Sequence, residues 1–440
     1  MIGCETRGAD GAPGFGRAKA VADAVLFEGY VLYPYRANAP KNQIRWSFGV
    51  VAPRSWSEAN GSDPWWMESR TLFEAKATPR LDGLLRFLRV QARRYEVADR
   101  ESRTWKPVGR LEIDGQLHLA WDEGLLQEES IAASFDLGGS TDHAFFFDQP
   151  ARATMEELRD GAGDVRGRLH RHTAQLCYRV RLRVEDAGAP FRRLVIRVEN
   201  HTPVDPRVSR DEALRSALLS THLLLGLQAG AFVSLLDPPP EAAAAAAACK
   251  GQGSWPVLAG ARGERQLVLA APIILYDHPQ IAPESPGDLH DATEIDELLG
   301  LRTATLTEEE KRIARATDPR AAAIVDRVER MAPGDWERLH GARRLADEAE
   351  MLPLPRVANE VRRPGPGDKV RLRPGKRRTD AHDLLFAGMA ATVHRVEVDA
   401  EGATWLAVTL DDDPAAELHE WYGRFHYYLP EEVETIAEGT

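Results

Sequence analysis

Cys177-Tyr-Arg-Val-Arg-Leu-Arg-Val184 alternates apolar with cationic side chains, and Leu194-Val-Ile-Arg-Val-Glu199 soon continues the pattern. A period of two marks antiparallel strands with one face on a core and the other in water. Outward from this pair, further strands are predicted at Thr71–Glu74, Leu84–Tyr95, Gly109–Ile113, Gln116–Ala120 and Ala144–Phe147. Between Ala24 and Val51, two aromatic-rich runs flank Ala37-Asn-Ala-Pro-Lys-Asn42 and predict a hairpin. Residues 21–205 therefore read as a β-rich domain behind a Gly-rich, polar tail, residues 1–20, expected to be disordered and lacking the apolar run of a signal peptide.

Past Thr202 the pattern turns helical. A helix over Asp211–Ala229 is predicted to lead into an extended Phe232–Leu236, with helices at Thr307–Arg315 and Pro319–Met331. Thr307-Glu-Glu-Glu310 has the spacing of a capping box, in which hydroxyl and carboxylate each satisfy the other's backbone amide. Residues 206–350 are thus expected to form an α+β domain with a helical end, and the Pro- and Gly-rich residues 351–367 a linker. Short strands after Asp368 predict an SH3-like β-barrel over 368–440. The expected class is α+β and multi-domain.

At 440 residues the chain exceeds what one core usually supports. Its net charge of -12 disfavours general affinity for nucleic acid or anionic membrane. The basic residues 362–378 are balanced in the same module by Asp411, Asp412, Asp413, Glu417, Glu420, Glu431 and Glu432, which favours a solvated bipolar surface or a protein docking site over RNA. The apolar run 217–236 is long enough for a bilayer, but His222, Gln228 and two glycines interrupt it, so no transmembrane segment is expected. His222 itself reads as a satisfied core residue. Cys4, Cys177 and Cys249 lie too far apart for a disulfide framework or structural zinc, which fits a reducing cytoplasm. The elbow of serine hydrolases, a phosphate-binding Gly-rich loop and the zinc-protease helix are missing from the sequence, which leans away from an enzyme. The sequence implies no cofactor.

Two groups of residues stand out. In Pro272-Ile-Ile-Leu-Tyr-Asp-His-Pro-Gln280 and the residues up to Glu297, two His and seven carboxylates crowd a proline-punctuated corner. Asp277, His278, Glu284, Asp288, His290, Asp291 and Glu294 are its candidates for binding a partner or a divalent metal, against a structural reading in which carboxylates cap turns and a helix start. The second group is Tyr35, Arg36, Lys41, Arg45 and Trp46, either a packed core with a stacked Arg or a contact for an anion or a protein.

The runs Glu28-Gly-Tyr-Val-Leu-Tyr-Pro-Tyr-Arg36, Lys41-Asn-Gln-Ile-Arg-Trp46, Ser234-Leu-Leu-Asp-Pro-Pro239, Pro272–Gln280, Asp291-Ala-Thr-Glu-Ile-Asp-Glu297 and Val408-Thr-Leu-Asp-Asp-Asp-Pro414 resemble an uncharacterised bacterial family encoded in [NiFe]-hydrogenase gene clusters, especially those of the actinobacterial type. The resemblance spans nearly the whole chain and brings no catalytic residue with it. It implies a non-enzymatic accessory protein that binds hydrogenase subunits or maturation factors during assembly. The alternatives are a metal-handling or hydrolytic enzyme built on the Asp277–Glu294 cluster, and a structural subunit of the mature complex.

Overall fold

The computed structural model describes residues 15–43, 45–99, 104–137, 142–281, 296–332, 335–336, 364–373, 388–398, 404–411 and 426–436. The chain is strand-rich with α and β mixed, and it separates into two compact units, Met1–Arg343 and Arg344–Thr440.

The first unit opens with helices α1 (Phe15–Phe27), α2 (Pro40–Gln43) and α3 (Arg54–Asn60). Strands β1 (Trp66–Asp99), β2 (Thr104–Val108), β3 (Arg110–Ile113), β4 (Gln116–Leu119), β5 (Trp121–Ser134), β6 (Asp142–Gln149), β7 (Arg152–Arg159), β8 (Val165–Thr173), β9 (Leu176–Asp186) and β10 (Phe191–Asn200) follow. Next come α4 (Arg210–Leu214), β11 (Leu219–Val233), α5 (Ala243–Ala247), β12 (Trp255–Leu258), β13 (Leu267–Ala271), α6 (Asp296–Ala304), α7 (Glu308–Thr317) and α8 (Pro319–Arg330).

Strand β1 is the spine of a curled antiparallel sheet ordered β12-β13-β11-β1-β10-β9-β6. One edge of β1 pairs in turn with β10, β5 and β2, and the other with β11 and then β8. Its middle is buried on both faces. Leu81, Leu85 and Phe87 enter the core formed as the sheet curls on itself, and Leu84, Leu88 and Val90 face the helices. The predicted strands at Thr71–Glu74 and Leu84–Tyr95 are both parts of β1, and those at Ala144–Phe147, Cys177–Val184 and Leu194–Glu199 fall within β6, β9 and β10.

Three expectations are corrected. The segment from Ala24 to Val51 is no hairpin: α1 covers residues 15–27 and presents Ala18, Val21, Ala22, Val25 and Leu26 as a helix-spaced face, so residues 15–20 are not a disordered tail either. The helix expected over Asp211–Ala229 is only α4, after which β11 runs as a strand with Leu219–Leu225 wholly buried. A strand buried on both faces shows no alternation, and a continuous apolar run reads equally as helix. Third, β11 and β13 join the sheet of β1, so it crosses the boundary expected at residue 205. The capping box is as expected: Thr307 Oγ1 accepts from Glu310 N at 3.3 Å, and the Glu310 carboxylate accepts from Thr307 N at 2.9 Å.

The second unit has β14 (Lys369–Leu372), β15 (Ala390–Val398), β16 (Thr404–Leu410), β17 (His426–Tyr428) and β18 (Val433–Thr435), an antiparallel sheet ordered β17-β16-β15-β14-β18. Val370, Leu372, Val393, Leu406, Val408 and Tyr428 are central to its core. The linker expected over 351–367 lies almost wholly outside the described residues.

Candidate functional site

Only Asp277 and His278 of the first candidate group are described; Glu284, Asp288, His290, Asp291 and Glu294 lie outside the described residues. The Asp277 carboxylate accepts from Leu258 N at 2.8 Å and from Ser234 Oγ at 2.5 Å. Ser234 Oγ in turn accepts from Leu236 N and Asp237 N, so one carboxylate fastens the end of β12 to the turn after β11. His278 sits at φ 55, and its amide donates to Leu258 O at 2.7 Å. The described part of the corner is a staple. Among the described residues, no group of three or more His, Cys, Asp or Glu is placed to hold a metal.

The second group is drawn inward. Tyr35 is fully buried, and Arg36 pairs with Glu310 at 2.7 Å. Arg45 donates to Asp122 O at 2.7 Å, with its guanidinium 3.5 Å from the Trp121 ring and 4.6 Å from Trp46. Desolvation lowers its pKa to about 10, against the pull of Tyr30, Asp122 and Asp318. The Tyr30 hydroxyl donates to Asp318 Oδ2 and accepts from Gly124 N, both at 2.7 Å, and burial pushes its pKa upward. These bonds tie the N-terminal segment to β5 and to the start of α8. Only Lys41 of this group is a well-exposed residue.

A buried cluster lies under α1. Arg86, fully buried on β1, donates to Glu128 at 2.8 Å and to Asp23. Its cross-strand neighbour His222 donates from Nδ1 to Ser220 O at 2.8 Å, which leaves Nε2 to accept from Arg86 Nη1 at 3.4 Å. Desolvation, joined by the Arg86 charge and opposed by the Ser220 bond, lowers the His222 pKa to about 3. His222 is the satisfied core residue expected, on a strand instead of a helix.

The opening alternation produces a surface the sequence reading left unassigned. The outward row of β9 is Arg179, Arg181 and Arg183; β10 adds Arg193 and Arg197, β1 adds Trp66 and Glu68, and β6 adds Asp142 and Phe146. A hollow of about 100 Å³ is lined by Glu68, Asp142, Arg181, Arg183, Val195 and Arg197. Arg181 pairs with Asp142 at 3.2 Å, and the Arg197 guanidinium lies 3.8 Å from the Trp66 ring. Beneath them, burial raises the Glu199 pKa, but bonds from Arg179 and His201 outweigh it and hold the carboxyl below its ordinary range. Phe146 is 74% exposed. Exposed Arg–carboxylate pairs stabilise a fold by only about 0–1 kcal/mol each, whereas arginine and aromatic side chains dominate binding interfaces.

Among the described residues, no helix is long and apolar enough to cross a membrane. No protein-family model matches the chain, and no curated protein matches it.

Proposed function

We propose that this chain is a non-enzymatic accessory protein of [NiFe]-hydrogenase assembly in the cytoplasm, binding hydrogenase subunits or maturation factors through the outer face of β1, β10, β9 and β6. The observation that carries the mode of action is that face itself: an arginine ladder whose Arg197 stacks on Trp66, with Phe146 projecting from the edge strand. Its carboxylates sit between the guanidinium groups, so a partner that replaces them needs acidic side chains of its own, with an apolar patch for Phe146. The motif runs, with their resemblance to a hydrogenase-cluster family, support the pathway.

The C-terminal unit fits the same reading as an SH3-like barrel serving as an adaptor. Three features support that assignment: β18 returns beside β14, the short 3-10 turn Pro430–Glu432 precedes it, and a register break between Val393 and Arg395 lets β15 bend.

The test is co-purification of a tagged chain with hydrogenase large-subunit precursor and, separately, with the processed enzyme. Retention of the precursor, lost in R181E/R183E/R197E with an unchanged circular dichroism spectrum, is the expected result. Retention that survives the triple substitution refutes the face. Stoichiometric nickel, iron or zinc that disappears in His278→Ala refutes the non-enzymatic reading.

A further inference from the structure

Strand β7 is an unusual edge. Residues 152–157 are all exposed, on both faces of the strand, and its only ladder partner among the described residues is β8. Edges left open are commonly blunted by proline or by charged side chains, lysine above all; Arg152-Ala-Thr-Met-Glu-Glu-Leu-Arg159 has no proline, and its four charges are two of each sign, which repel a stray strand but can pair with a complementary one. Met155 is 51% exposed. Glu156 pairs with Arg171 across the ladder at 3.1 Å, and Arg152 has no ion-pair partner among the described residues.

We propose that β7 pairs antiparallel with the β7 of a second copy of this chain, about a two-fold axis through Thr154. The axis must stand normal to the sheet, so each residue faces one from the same side of its strand, and the dimer is fixed by the residue on which it centres. Centring on Glu156 or Glu157 sets like charges against each other, and centring on Met155 puts Arg152 opposite Leu158. Centring on Leu158 opposes Glu157 to Arg159, but those two already pair within one chain at 2.6 Å, beside the register break at the end of the strand. Centring on Thr154 sets Arg152 against Glu156 twice, Ala153 against Met155 twice, and Thr154 against itself. Each Glu156 then lies between Arg171 of its own chain and Arg152 across the axis. Opposite charges and paired Thr side chains are favourable cross-strand neighbours.

The experiment is sedimentation equilibrium of the purified full chain over a wide concentration range. The wild type dimerises. R152E and E156R each oppose two like-charged pairs and weaken the dimer by about tenfold or more. The double variant R152E/E156R restores it. An equimolar mixture of the two single variants forms a heterodimer, because every pair across the axis is then complementary, an outcome peculiar to this register. A chain that stays monomeric throughout overturns the proposal, as does a dimer indifferent to R152E, or a mixture that associates no better than its components. Both substitutions fall on exposed side chains, and no hydrogenase component is present, so the result stands apart from the assembly role.

Discussion

His222 is held neutral where its neighbours are Arg86, Glu128 and Asp23, and that neutrality has a pH signature. Its folded pKa of about 3 lies below the ordinary value of 6.5. Above that ordinary value both states are neutral and the imidazole adds no pH dependence. As pH falls below it, the unfolded chain takes up a proton that the native chain refuses. Stability then drops by about 1.4 kcal/mol per pH unit from this group, until pH nears the folded value. Unfolding free energies of wild type and His222→Gln should therefore converge as pH is lowered from about 6 to about 4, and parallel curves would contradict the assignment. Asp277 makes a different prediction. Asp277→Ala strands the Leu258 amide and the Ser234 hydroxyl and should cost about 1–3 kcal/mol in urea unfolding, with Asp277→Asn milder because its amide oxygen can still accept. Asp277 was read as the cap of its own turn, but the staple it makes was not legible locally, because its partners lie 19 and 43 residues away. The Arg86 cluster was not legible either, because its partners come from α1, β5 and β11, and no local pattern records such a meeting.

At the scale of elements, the sequence was readable wherever a single face is buried. Strand β9 shows apolar-in, cation-out alternation over nearly its whole length, and α7 announces itself by its cap. Thr307→Ala should remove the hydroxyl's half of that cap, leaving the bond from the residue 307 amide to Glu310, and destabilise the chain by about 1 kcal/mol, measured as a shift of the urea midpoint at constant slope. A loss several times larger would mean that Thr307 does more than begin a helix. Legibility failed at the two extremes of burial. Strand β11 is covered on both sides and looks like a helix, while β7 is covered on neither and has no apolar period to find. Helix α1 failed for a third reason: alanines supply much of its buried face, and the aromatic residues just after it carried the stronger strand signal. The candidate site follows the same logic. The arginines of the outer sheet face lay in the most legible stretch of the chain, but a water-facing row looks the same whether or not something binds it.

For the whole molecule, the expectation of several domains met one large sheet and the β3–β4 ladder in the first unit, and one five-stranded sheet in the second, among the described residues. A boundary at residue 205 was plausible from composition, yet β11 pairs with β1 over residues 72–88, a partnership formed across more than a hundred residues of chain. The end of the first unit at Arg343 falls shortly before the Pro- and Gly-rich stretch, whose composition was a better guide because it reflects chain stiffness, a local property. Among the described residues, the core of the second unit is a cluster of eight buried residues with Tyr428 its one aromatic, and a core of that size supplies only about 3–5 kcal/mol. Residues 344–440 expressed alone should therefore fold cooperatively but melt early, and residues 1–343 should reproduce the later, larger transition of the intact chain. Because the denaturant slope scales with the surface exposed on unfolding, the first transition should also be the shallower of the two. A single steep transition in the full-length chain, or a C-terminal fragment without fixed structure, would show that the two units form one cooperative body.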